Sequence, residues 1–415
     1  MQRVHLFLGL AILLWGTSTA IGQGFFGVAP CEPLCSPCEP MACEPAACEP
    51  CEPACEPCEP LCEPCDPRGI TNRIGSFFSP FTFGGWVEAG VYTNSRSSRE
   101  NGPVHLASKS RNDFQMNQLY FFGEKEMNTR RGLDWGGRVD LAYGTDYGVM
   151  QTLDGTFDAD WGTNKHGYGM AAYQLYGTLG YRDLSVKVGK FATPLGWEAV
   201  LSRDNFFYSH SLCFLIEPTS HTGALATYDM SDRLSLNAGW TTGTDSSFKN
   251  PGKNSALLAG LTYSLTNNAT VYYWLSTGKQ YDEMMDMRND LFIQSLCLEW
   301  ALTKRFTYLL QYNLRNDNKR DGDRLSAYGI NNHFLYKLTD KVSAGTRLGW
   351  LRNNGSADLT DASDYWEVTL GLRWDPIGFL SIRPEVRYDW CQGGATPFAG
   401  KKDQASGGFG MVVSF

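Results

Sequence analysis

Five ionisable residues crowd one polar stretch of the chain: Lys190, Glu198, Arg203, Asp204 and His210. Acids and bases at this density can move protons, sort charged solutes, or pin a segment through ion pairs. The first use is disfavoured. The six histidines show no HExxH and no i,i+4 pair, and the chain has no GxSxG, P-loop or dinucleotide fingerprint in a strand–helix setting. A triad such as Ser209, His221 and Asp204 could be drawn here, but any polar loop of this length supplies one. No enzyme, cofactor or metal site is therefore expected, and charge sorting and pinning remain.

A second concentration is of cysteine. Cys31, Cys35, Cys38, Cys43, Cys48, Cys51, Cys55, Cys58, Cys62 and Cys65 recur in Cys-Glu-Pro repeats, ten of the chain's 13 cysteines. Proline every few residues forbids a helix and removes sheet donors, so polyproline II is favoured. Four CxxC pairs could bind zinc, but they lack the apolar residues around which a zinc module packs. Disulfides within one stiff arm are awkward, because Cα atoms must approach within about 7 Å. Cross-links to another chain or envelope component fit the repetition better. A disordered acidic tether is the plainer alternative.

Something must position the ionisable stretch, and the rest of the chain reads as strand. Apolar Trp366, Val368, Leu370, Leu372 and Trp374 alternate with Glu367, Thr369, Gly371 and Arg373. Trp135, Val139, Leu141 and Tyr143 share a row, with Arg138 and Asp140 on the other. Period-two alternation of this kind makes a strand with one dry and one wet face. Aromatics bracketing an aliphatic middle suit the two lipid–water interfaces. Sixteen such strands are expected between 83 and 415, among them 269–278 and 290–302, joined by connections that alternate short and long. The last nine residues, GGFGMVVSF, form a closing strand with Phe409, Met411, Val413 and Phe415 on one face. This is the layout of an all-β, transmembrane, antiparallel up-and-down β-barrel.

Composition agrees. A basic head, an apolar run from Leu6 to Trp15 and small residues to Gly22 read as a signal peptide over 1–22. An arm follows over 23–67, then a linker over 68–82 and the β-barrel over 83–415. The net charge of −8 sits in the first 67 residues, which hold nine acids and one base, so the remainder is balanced at 35 of each. That balance argues against nucleic acid as a partner. A mean hydropathy of −0.30 is compatible with a barrel, since only every second strand residue faces lipid.

The longest loop carries a resemblance. Gly189-Lys190-Phe191, Thr193-Pro194-Leu195-Gly196-Trp197-Glu198, Asn205 with Tyr208-Ser209, and Pro218 with His221-Thr222-Gly223 resemble the OmpL-like β-barrel porin family. The resemblance implies an outer-membrane porin passing small hydrophilic solutes, with outer-membrane lipid around it and a homotrimer as its expected assembly. A loop over 192–220 would fold into the lumen. Lys190, Glu198, Arg203, Asp204 and His210 would then face wall residues Arg138, Asp140, Lys187, Glu367 and Arg373 across a constriction. The alternative is that these residues only pin the loop. Inward Tyr120, Tyr176, Tyr272 and Trp274 could instead stack on sugars. A structural anchor, cross-linked to the envelope through the arm, is the competing function.

Overall fold

The computed structural model describes residues 80–96, 111–159, 161–282, 287–318, 324–355 and 362–415. The signal peptide, the ten-cysteine arm and most of the linker lie outside them. Sixteen strands close into a single barrel in which each neighbours the next and β1 meets β16. They are β1 (Thr82–Asn94), β2 (Gln115–Lys125), β3 (Leu133–Gly144), β4 (Gly169–Tyr181), β5 (Leu184–Ala192), β6 (Ser220–Ser231), β7 (Leu234–Thr244) and β8 (Ser255–Thr266). There follow β9 (Ala269–Asp282), β10 (Met287–Ala301), β11 (Phe306–Asn318), β12 (Arg324–Lys337), β13 (Val342–Asn354), β14 (Ser363–Ile377), β15 (Leu380–Gly393) and β16 (Asp403–Ser414). Closure leaves no edge, as lipid demands of a sheet.

The closing strand does what its alternation requires. Gly90 lies opposite Gly410 and Trp86 opposite Ser414, and Gly85 and Phe415 exchange two backbone hydrogen bonds of 2.9 Å. Phe409 points outward and is exposed, in company with Trp135, Val139, Leu370, Leu372, Trp374 and Val386. Arg138, Asp140, Glu367, Arg383 and Arg387 occupy the alternate, buried rows. The outside is therefore apolar and the inside polar. Among the described residues no helix is long and apolar enough to cross a membrane.

Seven short turns lie at one end of the barrel and the longer connections at the other. One expected long loop, 279–289, is largely strand instead, because β9 and β10 keep pairing out to Asp282 and Met287. The polar run Lys279-Gln280-Tyr281 reads as loop, but Tyr281 N–H finds the Asn254 side chain at 2.7 Å and the ladder continues. The loop 145–168 carries one helical turn, Tyr147–Met150, and the longest loop carries two 3-10 turns, Ser202–Asp204 and Leu212–Ile216.

Candidate functional site

The longest loop, 193–219, is pinched at its neck by Thr193 N–H donating to Thr219 O at 3.0 Å. Asp245 holds the exit, accepting from Thr219 N and Ser220 N at 2.8 Å. Between these points the segment enters the lumen, and none of its residues is exposed. Irregular backbone buried this way must find partners for its amides and carbonyls. Wall side chains provide them. Ser295 of β10 accepts from Gly196 N at 3.0 Å, Gln311 of β11 from Trp197 N at 3.2 Å, and Gln118 of β2 from Ser202 N at 3.1 Å. Glu385 of β15 accepts from Tyr208 N at 2.9 Å.

The carbonyls are held by arginines. Arg347 of β13 donates to Ser209 O at 2.7 Å and His210 O at 3.0 Å, and pairs with Glu198 and Glu367 at 2.9 Å each. Arg387 of β15 donates to His210 O at 2.6 Å and pairs with Glu367 at 2.5 Å and Asp389 at 2.7 Å. Arg383 donates to Ser202 O, Asn205 O and Phe207 O at 2.7 to 3.2 Å and pairs with Glu88. Arg373 adds a bond to Asn205 O at 3.1 Å. Arg347, Arg383, Arg387, Glu367 and Glu88 are all buried. Charges survive there only because each is paired with an opposite charge.

Glu198 lies in the loop, not in a spanning strand. Burial pushes its carboxyl up, but Arg347, then His333 and His210, outweigh that and hold it at about 2. Burial likewise keeps His210 below the usual histidine range, against the pull of Glu198. A folded-state value below the ordinary ~4.3 gives stabilisation that is complete above that pH and is lost as pH falls towards 2. The loop should therefore resist pepsin at pH 4 and lose protection near pH 2, and Glu198→Gln should remove the difference.

Aromatic side chains of the loop dock where the wall has no side chain. A Cβ on Gly90 or Gly410 would stand 2.6 or 2.3 Å from the Tyr208 ring, one on Gly345 2.4 Å from Phe206, and one on Gly371 2.9 Å from Phe207. Tyr208 then donates to Asn117 Oδ1 at 2.8 Å. Gly345→Val should displace Phe206 and cost the loop about 1–3 kcal/mol, read as faster cleavage within 193–219 by a protease.

The sequence-expected residues separate into different networks. Arg138 and Asp140 face inward and pair at 2.7 Å, with Glu124 2.9 Å from Arg138 and with Tyr120 and Gln174 donating to Asp140. Asp204 and His210 are buried, the His210 imidazole meeting Ala199 O at 3.0 Å and Phe214 at 4.1 Å between ring centres. Lys190 is a correction: it pairs across the sheet with outward Leu175 and shares the row of outward Val188. Its Nζ donates to Met150 O and Ala172 O at 3.0 Å and lies 3.4 Å from Asp158. Lys190 thus fastens loop 145–168 over the outer rim and does not face Glu198.

Tyr120, Tyr176, Tyr272 and Trp274 are also corrected, since all four are buried; Trp197 of the loop packs 6.0 Å from Tyr272, and Tyr120 stacks on Trp86 at 4.0 Å. They present no open face to a sugar. Cys213, Cys297 and Cys391 are buried, and none forms a disulfide among the described residues. The residues missed by sequence are Arg347, Glu385 and Glu88, and the role of Arg383 and Arg387. The available signal was parity: Ser343, Gly345, Arg347 and Gly349 share one inward row.

The geometry can be set against known proteins. A search of curated proteins found no match. Among solved structures, an anion-selective porin from Comamonas acidovorans superposes with a TM-score of 0.57 at 10% identity, over 81% of this chain and 99% of that one. OmpT of Vibrio cholerae, in its trimer form, gives 0.55 at 12% identity over the same shares. OprB of Pseudomonas putida gives 0.52 at 11%, over 81% of this chain and 94% of its own. At these identities the likeness is one of fold. Residues 80–415 match the family described as "Putative beta-barrel porin-2, OmpL-like", and the chain belongs to that family of β-barrel porins.

Proposed function

We propose that the chain is an outer-membrane porin whose water-filled lumen, narrowed by loop 193–219, passes small hydrophilic solutes by diffusion. The observation that carries this is the closed barrel, apolar outside and polar inside, with one loop folded into its lumen. On the short-turn side of that loop, inward Glu124, Asp375 and Arg203 keep solvent contact, with side-chain exposures of 23%, 22% and 33%. Solutes would gather there and pass the loop one at a time. An even strand number brings the start of β1 and the end of β16 out at the short-turn side. We place that side, and the arm over 23–67, in the periplasm, where its cysteines would form disulfides with envelope components.

Swelling of liposomes loaded with the full chain tests the channel. Uptake of neutral sugars should fall steeply with molecular size. Swelling no faster than that of empty liposomes would overturn the proposal.

A further inference from the structure

The arginines facing the loop are buried against its carbonyls, so charge selection must rest with whatever cations remain open to the lumen. Lys187, on the inward row of β5, lies 4.6 Å from the centre of the Tyr176 ring and 5.4 Å from that of Phe191. No carboxylate among the described residues stands within ion-pairing distance of its Nζ. Arg203 projects from the underside of the loop, 4.7 Å from the Trp86 ring and 5.9 Å from Phe122. Its Nε meets Asp204 at 3.4 Å, and its two Nη atoms make no hydrogen bond among the described residues. Arg138 covers the same Phe122 ring at 4.7 Å, and its buried Nη2 has no hydrogen-bond partner among the described residues.

Three cations thus form one lane over Trp86, Phe122, Tyr176 and Phe191. Aromatic faces stabilise a cation without neutralising it. The neighbouring acids are committed, Glu124 to Arg138 and Asp140 to Arg138, Tyr120 and Gln174. Three inward carboxylates that have no basic partner among the described residues are taken up by neutral donors: Glu299 on β10 by Tyr272 at 3.4 Å, Glu385 on β15 by Tyr92 and the Tyr208 amide, and Asp229 on β6 by Ser235. The lane therefore has donors in excess of acceptors, which is what an oxyanion group completes.

We propose that Lys187 and Arg203, backed by Arg138, form a binding subsite for the carboxylate or phosphate group of small solutes, and that they make the channel prefer anions. The proposal rests on the porin reading. It would be tested with the full chain in a planar bilayer between unequal potassium chloride solutions. The reversal potential should be displaced towards that of chloride. Lys187→Gln and Arg203→Gln should each move it towards potassium, the double variant furthest, while Lys187→Arg and Arg203→Lys should hold it.

Acetate or inorganic phosphate should lower the current through the unaltered protein at concentrations that leave the double variant open, and the more effective of the two names the preferred group. Open steps with potassium preference, or a reversal potential indifferent to the double substitution, would overturn the subsite and leave the porin standing. Absence of any step would overturn both.

Discussion

Replacing Arg347 by methionine should free the loop while leaving the barrel closed. Arg347 is wholly buried, bonds two successive loop carbonyls, and separates the carboxylates of Glu198 and Glu367. Glu367 would keep Arg387, but Glu198 would lose its only arginine among the described residues. Breaking a buried pair by removing one partner costs about 3–5 kcal/mol, and that loss falls on the loop, which carries Glu198. The strand ladder does not run through this side chain, so the β circular dichroism should persist. The checks are protease sites opening within 193–219 and a larger, noisier single-channel current. Lysine should not rescue, because a single ammonium cannot span Glu198, Glu367 and two carbonyls as the guanidinium fork does. A loop as resistant as in the unaltered protein would show that Arg347 is not its clamp.

Excising residues 197–216 across the pinched neck should raise conductance severalfold and lower thermal stability together. The wall beneath the loop is not polar throughout. Leu225, Leu258, Tyr272, Trp274, Leu291, Ile293, Leu309 and Leu335 face inward and are buried with Leu195, Trp197, Phe206 and Phe207. Apolar residues on an inward row make sense only under a cover. Removing that cover returns them to water, at about 1.5–3 kcal/mol for each large side chain fully exposed. A wider but less stable channel is the signature of a loop that is a structural part of the lumen. Unchanged conductance on excision would place the narrowest point elsewhere.

Much of this was legible in the chain. Strands such as β14 and β15 declare themselves because one face meets lipid and the other does not, so alternation survives almost unbroken from Trp366 to Trp374 and from Leu380 to Tyr388. The destination of the longest loop followed from its length. The clamp did not, since nothing local ties Glu198 to Arg347 or Tyr208 to Gly90 and Gly410; these pairs exist only once the barrel closes. Lys190 was misplaced for a different reason. Its nearness to the loop in sequence suggested the lumen, whereas strict alternation with Val186 and Val188 puts it on the outer row. Parity was the better guide. The extra length of β9 and β10 was hidden because polar residues at a rim satisfy a ladder as well as a loop.

The most direct measurement is the single-channel conductance of the full chain, refolded and inserted in a planar bilayer. A porin with one fixed loop in its lumen should give discrete, reproducible open steps of small amplitude, enlarged in Arg347→Met and in the loop excision. A barrel that inserts yet never conducts, in the unaltered protein and in both variants, would contradict the account.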